Sequence, residues 1–365
     1  MKNTTIPISD PARELRHIKD FKKIFSKEID KGIFVGGSNV EKFENNIKNF
    51  LNSKYSVSTN SGTDSLILAF SILGLKKGDE VMLPSFTFIA TVECILHFGL
   101  KPVFVDINKE SFTVDKNSFY DNFSPRTKAF IPVHLFGRRS FDKNILKFCK
   151  ENKIYIIEDC AQSFGSKYND KYLGTFGDLG TYSFFPSKTL GGIGDGGCIV
   201  TNNFKMYSLL KKIKNHGQAS NYNHEVNGVN SRLDSLNSFV LNKKLELFSE
   251  IKEERNALFE FFNENINNDL VIKPTKESGE VMNYYSLILR TNRKGFKKYL
   301  ETRGIGTNIY YEKPIHKQKV MQKYTFKFKD LSNTEKLAKN IISIPFFTFM
   351  TSREKNKIVE VINSF

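Results

Sequence analysis

From Lys54 to Thr201 the chain alternates short, apolar, β-branched runs with helical stretches, and few folds accept that rhythm. Tyr55–Thr59, Glu80–Leu83, Pro102–Val105, Ala129–Ile131, Ile154–Ile157, Gly180–Phe185 and Cys198–Thr201 read as strands. Asp64–Leu73, Ile89–Phe98 and Phe141–Lys150 read as helices between them. Several of these strands are apolar on both faces, so both faces need cover. The expectation is an α/β fold, a doubly wound unit whose large sheet is mostly parallel.

The pattern changes after Met206. Leu233 to Asn265 reads as one or two long helices with a charged outer face. Beyond it come a strand at Tyr284–Leu289 and helices at Lys294–Glu301, Leu337–Ile342 and Lys355–Ile362. A length of 365 residues suits two units. We expect a large unit over 1–240 and a smaller α+β unit over 241–365.

No run reaches the ~20 apolar residues of a membrane span. The best, Leu66 to Leu75, is interrupted by Ser71 and Gly74. The stretch Met1–Arg16 carries Asp10 and Glu14 and lacks the apolar centre of a secretory signal. A cytoplasmic protein without membrane contact is expected. Cys94, Cys149, Cys160 and Cys198 form no CxxC or Cys/His cluster, so they read as reduced core thiols and no metal is expected. The net charge of +16 points to an anionic partner. The basic residues are scattered, however, with no run of five, which argues against nucleic acid.

Three places hold candidate chemistry. Ser61-Gly62-Thr63-Asp64 joins a strand to a helix, and a helix start there offers N–H groups to an anion or is simply capped. Glu158 and Asp159 end a strand with side chains on opposite faces, so they are no acid/base pair. One of them sits where ligands bind in sheets of this class. Lys188 follows the aromatic strand ending Ser183-Phe-Phe and precedes a glycine-rich loop; a partly desolvated lysine forms Schiff bases. Gly192, Gly194 and Gly197 fit G-x-G-x-x-G, but they precede a strand and no acidic residue follows at the right distance, so a dinucleotide site is rejected. A phosphate cradle, a carboxylate for a ring nitrogen and an imine-forming lysine are together what pyridoxal 5′-phosphate (PLP) requires.

The order and wording of these motifs resemble the DegT/StrS-type nucleotide-sugar aminotransferases. The likeness runs through Pro84-Ser-Phe-Thr-Phe88-Ile-Ala90, Pro102 to Asp106, Pro125 to Lys128, Pro132-Val-His-Leu-Phe-Gly137, Glu158 to Gln162, Ser183 to Gly197, Asn230-Ser-Arg-Leu-Asp234 and Arg303 to Thr307. It implies the aspartate aminotransferase type I fold. It implies Lys188 as the imine lysine and proton shuttle, Asp159 on the pyridine nitrogen, Phe88 stacked on the ring and Gln162 near it. Gly62, Thr63 and Ser183 would hold the phosphate. Asn230 would reach the cofactor of the neighbouring subunit, which makes a homodimer the active unit. Cys160 and Ser187 depart mildly from the family pattern. Relatives with histidine at the lysine position are dehydratases, and Lys188 is present here.

The resemblance also implies the reaction. Glutamate would convert PLP to its amine form (PMP), which would aminate a nucleotide-linked keto sugar. His224 to Asp234 looks like the members acting at carbon 3, nearest those using dTDP-3-keto-6-deoxyhexoses for surface glycans such as O-antigen. UDP-linked 3-keto sugars, carbon-4 amination and a non-catalytic PLP-binding regulator are the alternatives. Tyr310, Lys313 and His316 lie in the region that would face the substrate.

Overall fold

The computed structural model describes residues 5–365; the first four positions of the Met1–Arg16 stretch lie outside the described residues. Seven strands form the large sheet. Across it they run Tyr55–Thr59, Gly197–Thr201, Leu179–Ser183, Tyr155–Asp159, Thr127–Phe130, Glu80–Pro84 and Lys101–Val105. Neighbours pair in parallel from Leu179–Ser183 to Lys101–Val105. Gly197–Thr201 runs antiparallel to both of its neighbours, so it alone of the seven is reversed. Val57, Val81, Leu83, Phe104, Ala129 and Ile157 are all buried, as strands covered on both faces must be.

The helices differ from expectation mainly at the ends of the chain. Ala12–Arg16, Phe21–Asp30 and Ser38–Leu51 precede the first strand, where no helix was expected. The last of these buries Val40, Phe43, Ile47 and Leu51, one side of the helix. Its Glu44 accepts from the backbone N–H and hydroxyl of Ser58 and pairs with Lys214, which fixes the helix to the sheet edge.

Two helices, Ser235–Glu246 and Phe248–Asn265, carry the chain toward a second, three-stranded antiparallel sheet. Position 240/241 lies within the first of them. That small sheet comprises Val271–Ile272, Tyr285–Leu289 and Ile341–Ile344. The helix expected over Leu337–Ile342 is corrected here. Ser332–Asn340 is helical, and the chain then turns into a strand at Ile341. Ile341-Ile342-Ser343-Ile344 carries three β-branched isoleucines, and pairing with Tyr285–Ile288 outweighs continuation of the helix. One continuous apolar cluster joins both sheets, from Val57 and Leu83 to Phe259, Tyr285 and Ile358. The start of the described chain returns to this side as well. Ile6 donates to the Gly304 carbonyl and accepts from Gly306 N–H, both at 2.8 Å.

Among the described residues no helix is long and apolar enough to cross a membrane.

Candidate active site

The site lies at the carboxyl ends of the parallel strands, where the helices begin and their N–H groups point outward. Ser61 caps the helix Gly62–Ser71, its hydroxyl accepting from Asp64 N–H at 3.0 Å. A side chain at position 62 would meet Ser183 Cβ at 2.6 Å, so only glycine lets this helix start close against the end of the strand Leu179–Ser183. Gly62, Thr63 and Ser183 thereby share one half-buried corner.

Asp159 ends the central strand Tyr155–Asp159 and is buried. Its carboxylate accepts from Ala161 N–H at 3.1 Å and from the Thr91 hydroxyl at 2.9 Å. Burial pushes its pKa up, and those donors and the Lys188 charge oppose that. Glu158, one residue earlier, faces the opposite way. It accepts from Gly174, Phe176 and Gly177 N–H and from His134 Nε2. His134 Nδ1 accepts from Ser140 N–H, so its proton sits on Nε2 and points at Glu158. His134, Glu158 and Cys160 converge closely enough to hold a metal ion, yet each polar group but the thiol is taken up in this lattice of hydrogen bonds.

Lys188 lies in the loop after Ser183, its N–H donating to the Phe185 carbonyl at 2.8 Å. Burial lowers its ammonium to about 8, against the pull of Asp159. Its Nζ stands 5.9 Å from the Tyr284 ring centre, and Tyr284 stacks on Tyr310 at 4.4 Å. Burial and the neighbouring tyrosine push Tyr310 up to about 12. Gln162 is buried. Its Oε1 accepts from Phe136 N–H, and its Nε2 donates to the Tyr311 hydroxyl at 3.0 Å. Phe88 is half exposed, with its ring centre 6.0 Å from that of Tyr311.

The remaining expected residues are spread more widely. Lys313 is exposed. His316 is held inward, Nδ1 at 2.7 Å from Ser85 Oγ and Nε2 at 3.2 Å from Glu335, so both ring nitrogens are engaged within the protein. Asn230 is exposed, while the adjacent Ser231 is fully buried and donates to Asp64 at 2.7 Å. Thr91, Tyr284 and Ser231 were not singled out from the sequence, and each joins the site through a contact made far along the chain; Tyr311 was expected beside Tyr310 on the substrate side and is bonded to Gln162.

A half-buried lysine with a lowered pKa, a buried carboxylate facing it, an exposed aromatic ring and a ten-residue helix opening on a glycine offer partners to an aldehyde, a ring nitrogen, a π-face and a phosphate. This donor set fits PLP. Residues 16–363 match the family model described as the DegT/DnrJ/EryC1/StrS aminotransferase family.

The chain belongs to that family.

As a DegT/DnrJ/EryC1/StrS member it is a PLP-dependent sugar aminotransferase of fold type I. It is 33% identical over 99% of its length, and 98% of the relative's, to a pleiotropic regulatory protein of Geobacillus stearothermophilus. It is 32% identical to a UDP-N-acetyl-3-dehydro-alpha-D-glucosamine 3-aminotransferase of Acidithiobacillus ferrooxidans, covering 99% and 98% of the two chains. To a dTDP-3-amino-3,6-dideoxy-alpha-D-galactopyranose transaminase of Aneurinibacillus thermoaerophilus it is 31% identical over 96% of each. Among solved structures, S. venezuelae DesV superposes with a TM-score of 0.93 at 27% identity, over 99% of this chain and 98% of that one. NtdA of Bacillus subtilis, solved with bound PMP, gives 0.87 at 28% identity over 96% and 81%.

Proposed function

We propose that this aminotransferase moves the amino group of glutamate to carbon 3 of a dTDP-3-keto-6-deoxyhexose. The product is a dTDP-3-amino-3,6-dideoxyhexose, made in the cytoplasm for a surface glycan such as O-antigen. The observation that carries the chemistry is Lys188, its ammonium lowered to about 8 by burial and close enough to buried Asp159 for the two charges to act on each other. At that value about a tenth of the lysine is neutral at pH 7 and about half at pH 8, so it can take and return a proton. The cofactor, when bound, supplies the electron sink that makes loss of a proton from the amino-bearing carbon feasible.

The other roles follow from position. Asp159 keeps a proton on the pyridine nitrogen. Phe88 would cover one face of the cofactor's ring, and Gln162, anchored by Phe136 and Tyr311, would stand near the ring hydroxyl or the opposite face. Gly62, Thr63 and Ser183 receive the phosphate at the helix start. Tyr310 and Lys313 take the substrate side, and His316 supports that wall by holding its segment on Ser85. Asn230, exposed beside the anchored Ser231, reaches the phosphate of a second copy, which makes a homodimer the working unit.

Support for carbon 3 comes from the His224–Asp234 segment and from the two relatives whose names specify 3-amino products. One of these relatives is named for a UDP-linked sugar and the other for a dTDP-linked one, so a UDP-linked 3-keto sugar is the second reading. Glutamate would be supplied with dTDP-3-keto-6-deoxyglucose, its 4-epimer and a UDP-linked 3-keto sugar, and 2-oxoglutarate release measured. Turnover of a dTDP ketone at least about tenfold better in kcat/KM supports the proposal. Preference for the UDP ketone replaces it with the second reading, and no turnover with any of them rejects carbon-3 amination of these sugars.

A further inference from the structure

The Asp159 carboxylate is not held by its own strand alone. Its Oδ2 accepts from Thr91 Oγ1 at 2.9 Å, and Thr91 Oγ1 lies 3.0 Å from Thr87 Oγ1. All three groups are buried, at 5%, 1% and 2% exposure. A hydroxyl has one proton to donate, and an ionised carboxylate only accepts. Thr91 therefore gives its proton to Asp159, and Thr87 must donate to Thr91. The relay has one direction, toward the carboxylate, and each bond polarises the next. Thr87 and Thr91 flank Phe88 in sequence, so the segment that carries the exposed ring also carries the relay.

We propose that Thr91 is a positioning residue of the aminotransferase, with Thr87 behind it: the relay holds Asp159 ionised and turned toward the site. It rests on the reading of Asp159 as the partner of the cofactor's ring nitrogen. Burial alone favours the neutral acid, which has no charge to set against a protonated ring. The remaining donor, Ala161 N–H, serves the other carboxylate oxygen.

The test uses PLP-loaded Thr91→Val, Thr91→Ser, Thr87→Val, Asp159→Asn and the Thr91→Val/Asp159→Asn double variant. Valine keeps the shape of threonine and removes the donor. Loss of a hydrogen bond to a charged group corresponds to about 10- to 100-fold. Thr91→Val should lose that much kcat with glutamate KM changed less than about threefold, and should release PLP faster on dialysis. Thr91→Ser should recover to within about threefold of wild type, and Thr87→Val should show a smaller loss of the same kind. In the Asp159→Asn background Thr91→Val should add less than about twofold, since the group it serves is gone. Thr91→Val with wild-type kcat and PLP retention, beside an inactive Asp159→Asn, overturns the relay alone. An active Asp159→Asn overturns the reading beneath it. Should Thr91→Val not fold, Thr91→Ser and Thr87→Val decide: equal loss in both, without rescue by serine, counts against the relay.

Discussion

Lys188 illustrates what the site demands of a single residue. A lysine whose folded pKa is about 8, below its ordinary 10.5, binds fewer protons folded than unfolded between those values. Stability of the cofactor-free protein should then rise as pH climbs through that window, and the penalty should be fully present below it. Lys188→Ala should abolish turnover, since no other amine stands at this point, yet raise the Tm of the cofactor-free protein near pH 7. The energy at stake is on the order of 1–3 kcal/mol after allowance for solvent at the half-buried side chain. Calorimetry of both proteins across pH 7–10.5 checks it; a tenth of wild-type activity in the variant would contradict the role of Lys188. Asp159→Asn should retain some cofactor and lose most activity, because an amide cannot keep the ring nitrogen protonated; pre-steady-state kinetics at saturating PLP would reveal a near-normal rate if Asp159 were only a cap. Both residues stood out as candidates because their signals are local: a carboxylate closing an apolar strand, and a lysine between an aromatic strand and a glycine loop. Thr91 was not. Its contact with Asp159 depends on the Glu80–Pro84 and Tyr155–Asp159 strands lying two apart in the sheet, which no local pattern states.

At the scale of elements, strand–turn–helix units were legible and the helices outside them were not. Helix Phe21–Asp30 carries only a short stripe, Phe21, Ile24 and Phe25, which is half buried near Phe239, and no strand or glycine turn beside it marks it out. Ile341 shows the opposite failure: the run after Leu337 suits a helix until a partner strand, 55 or so residues away in sequence, claims it. The helix Ser38–Leu51 is tied to the sheet edge by its buried apolar side and by the charge cluster at Glu44. Lys214 and Lys211 pull the Glu44 carboxyl down to about 2. Its folded pKa lies below the unfolded one, so its stabilisation is complete above about pH 4.5 and is lost as pH falls toward 2. Glu44→Gln should flatten acid unfolding over that range. It should also cost about 3–5 kcal/mol at neutral pH, because Lys214 stays buried without its charge partner. Urea melts at pH 7 and pH 3 would separate the two effects; equal losses at both would show that Glu44 acts by packing.

For the whole molecule, the proposed role of Asn230 is where assembly would enter the chemistry. One amide bond to a dianion is worth about 10- to 100-fold in affinity, so Asn230→Ala should lose PLP on dialysis while remaining a dimer by sedimentation. A fully active monomer at low concentration would overturn the role of the second copy. The contacts of Ile6, Arg13 and Glu14 bear on folding in time. Ile6 is stitched between Gly304 and Gly306, Glu14 pairs with Lys244, and Arg13 bonds Glu354 at 2.7 Å. Residues around Ile6 thus find their partners hundreds of positions later in the chain. At ~5–20 residues per second, Ile6 waits roughly 15–60 s for its neighbours to be synthesised. Through that interval the Lys188 loop and the large sheet have their own sequence to fold with, but Ile6 has no partner, so this tie waits on synthesis of the segment around Gly304 and Gly306.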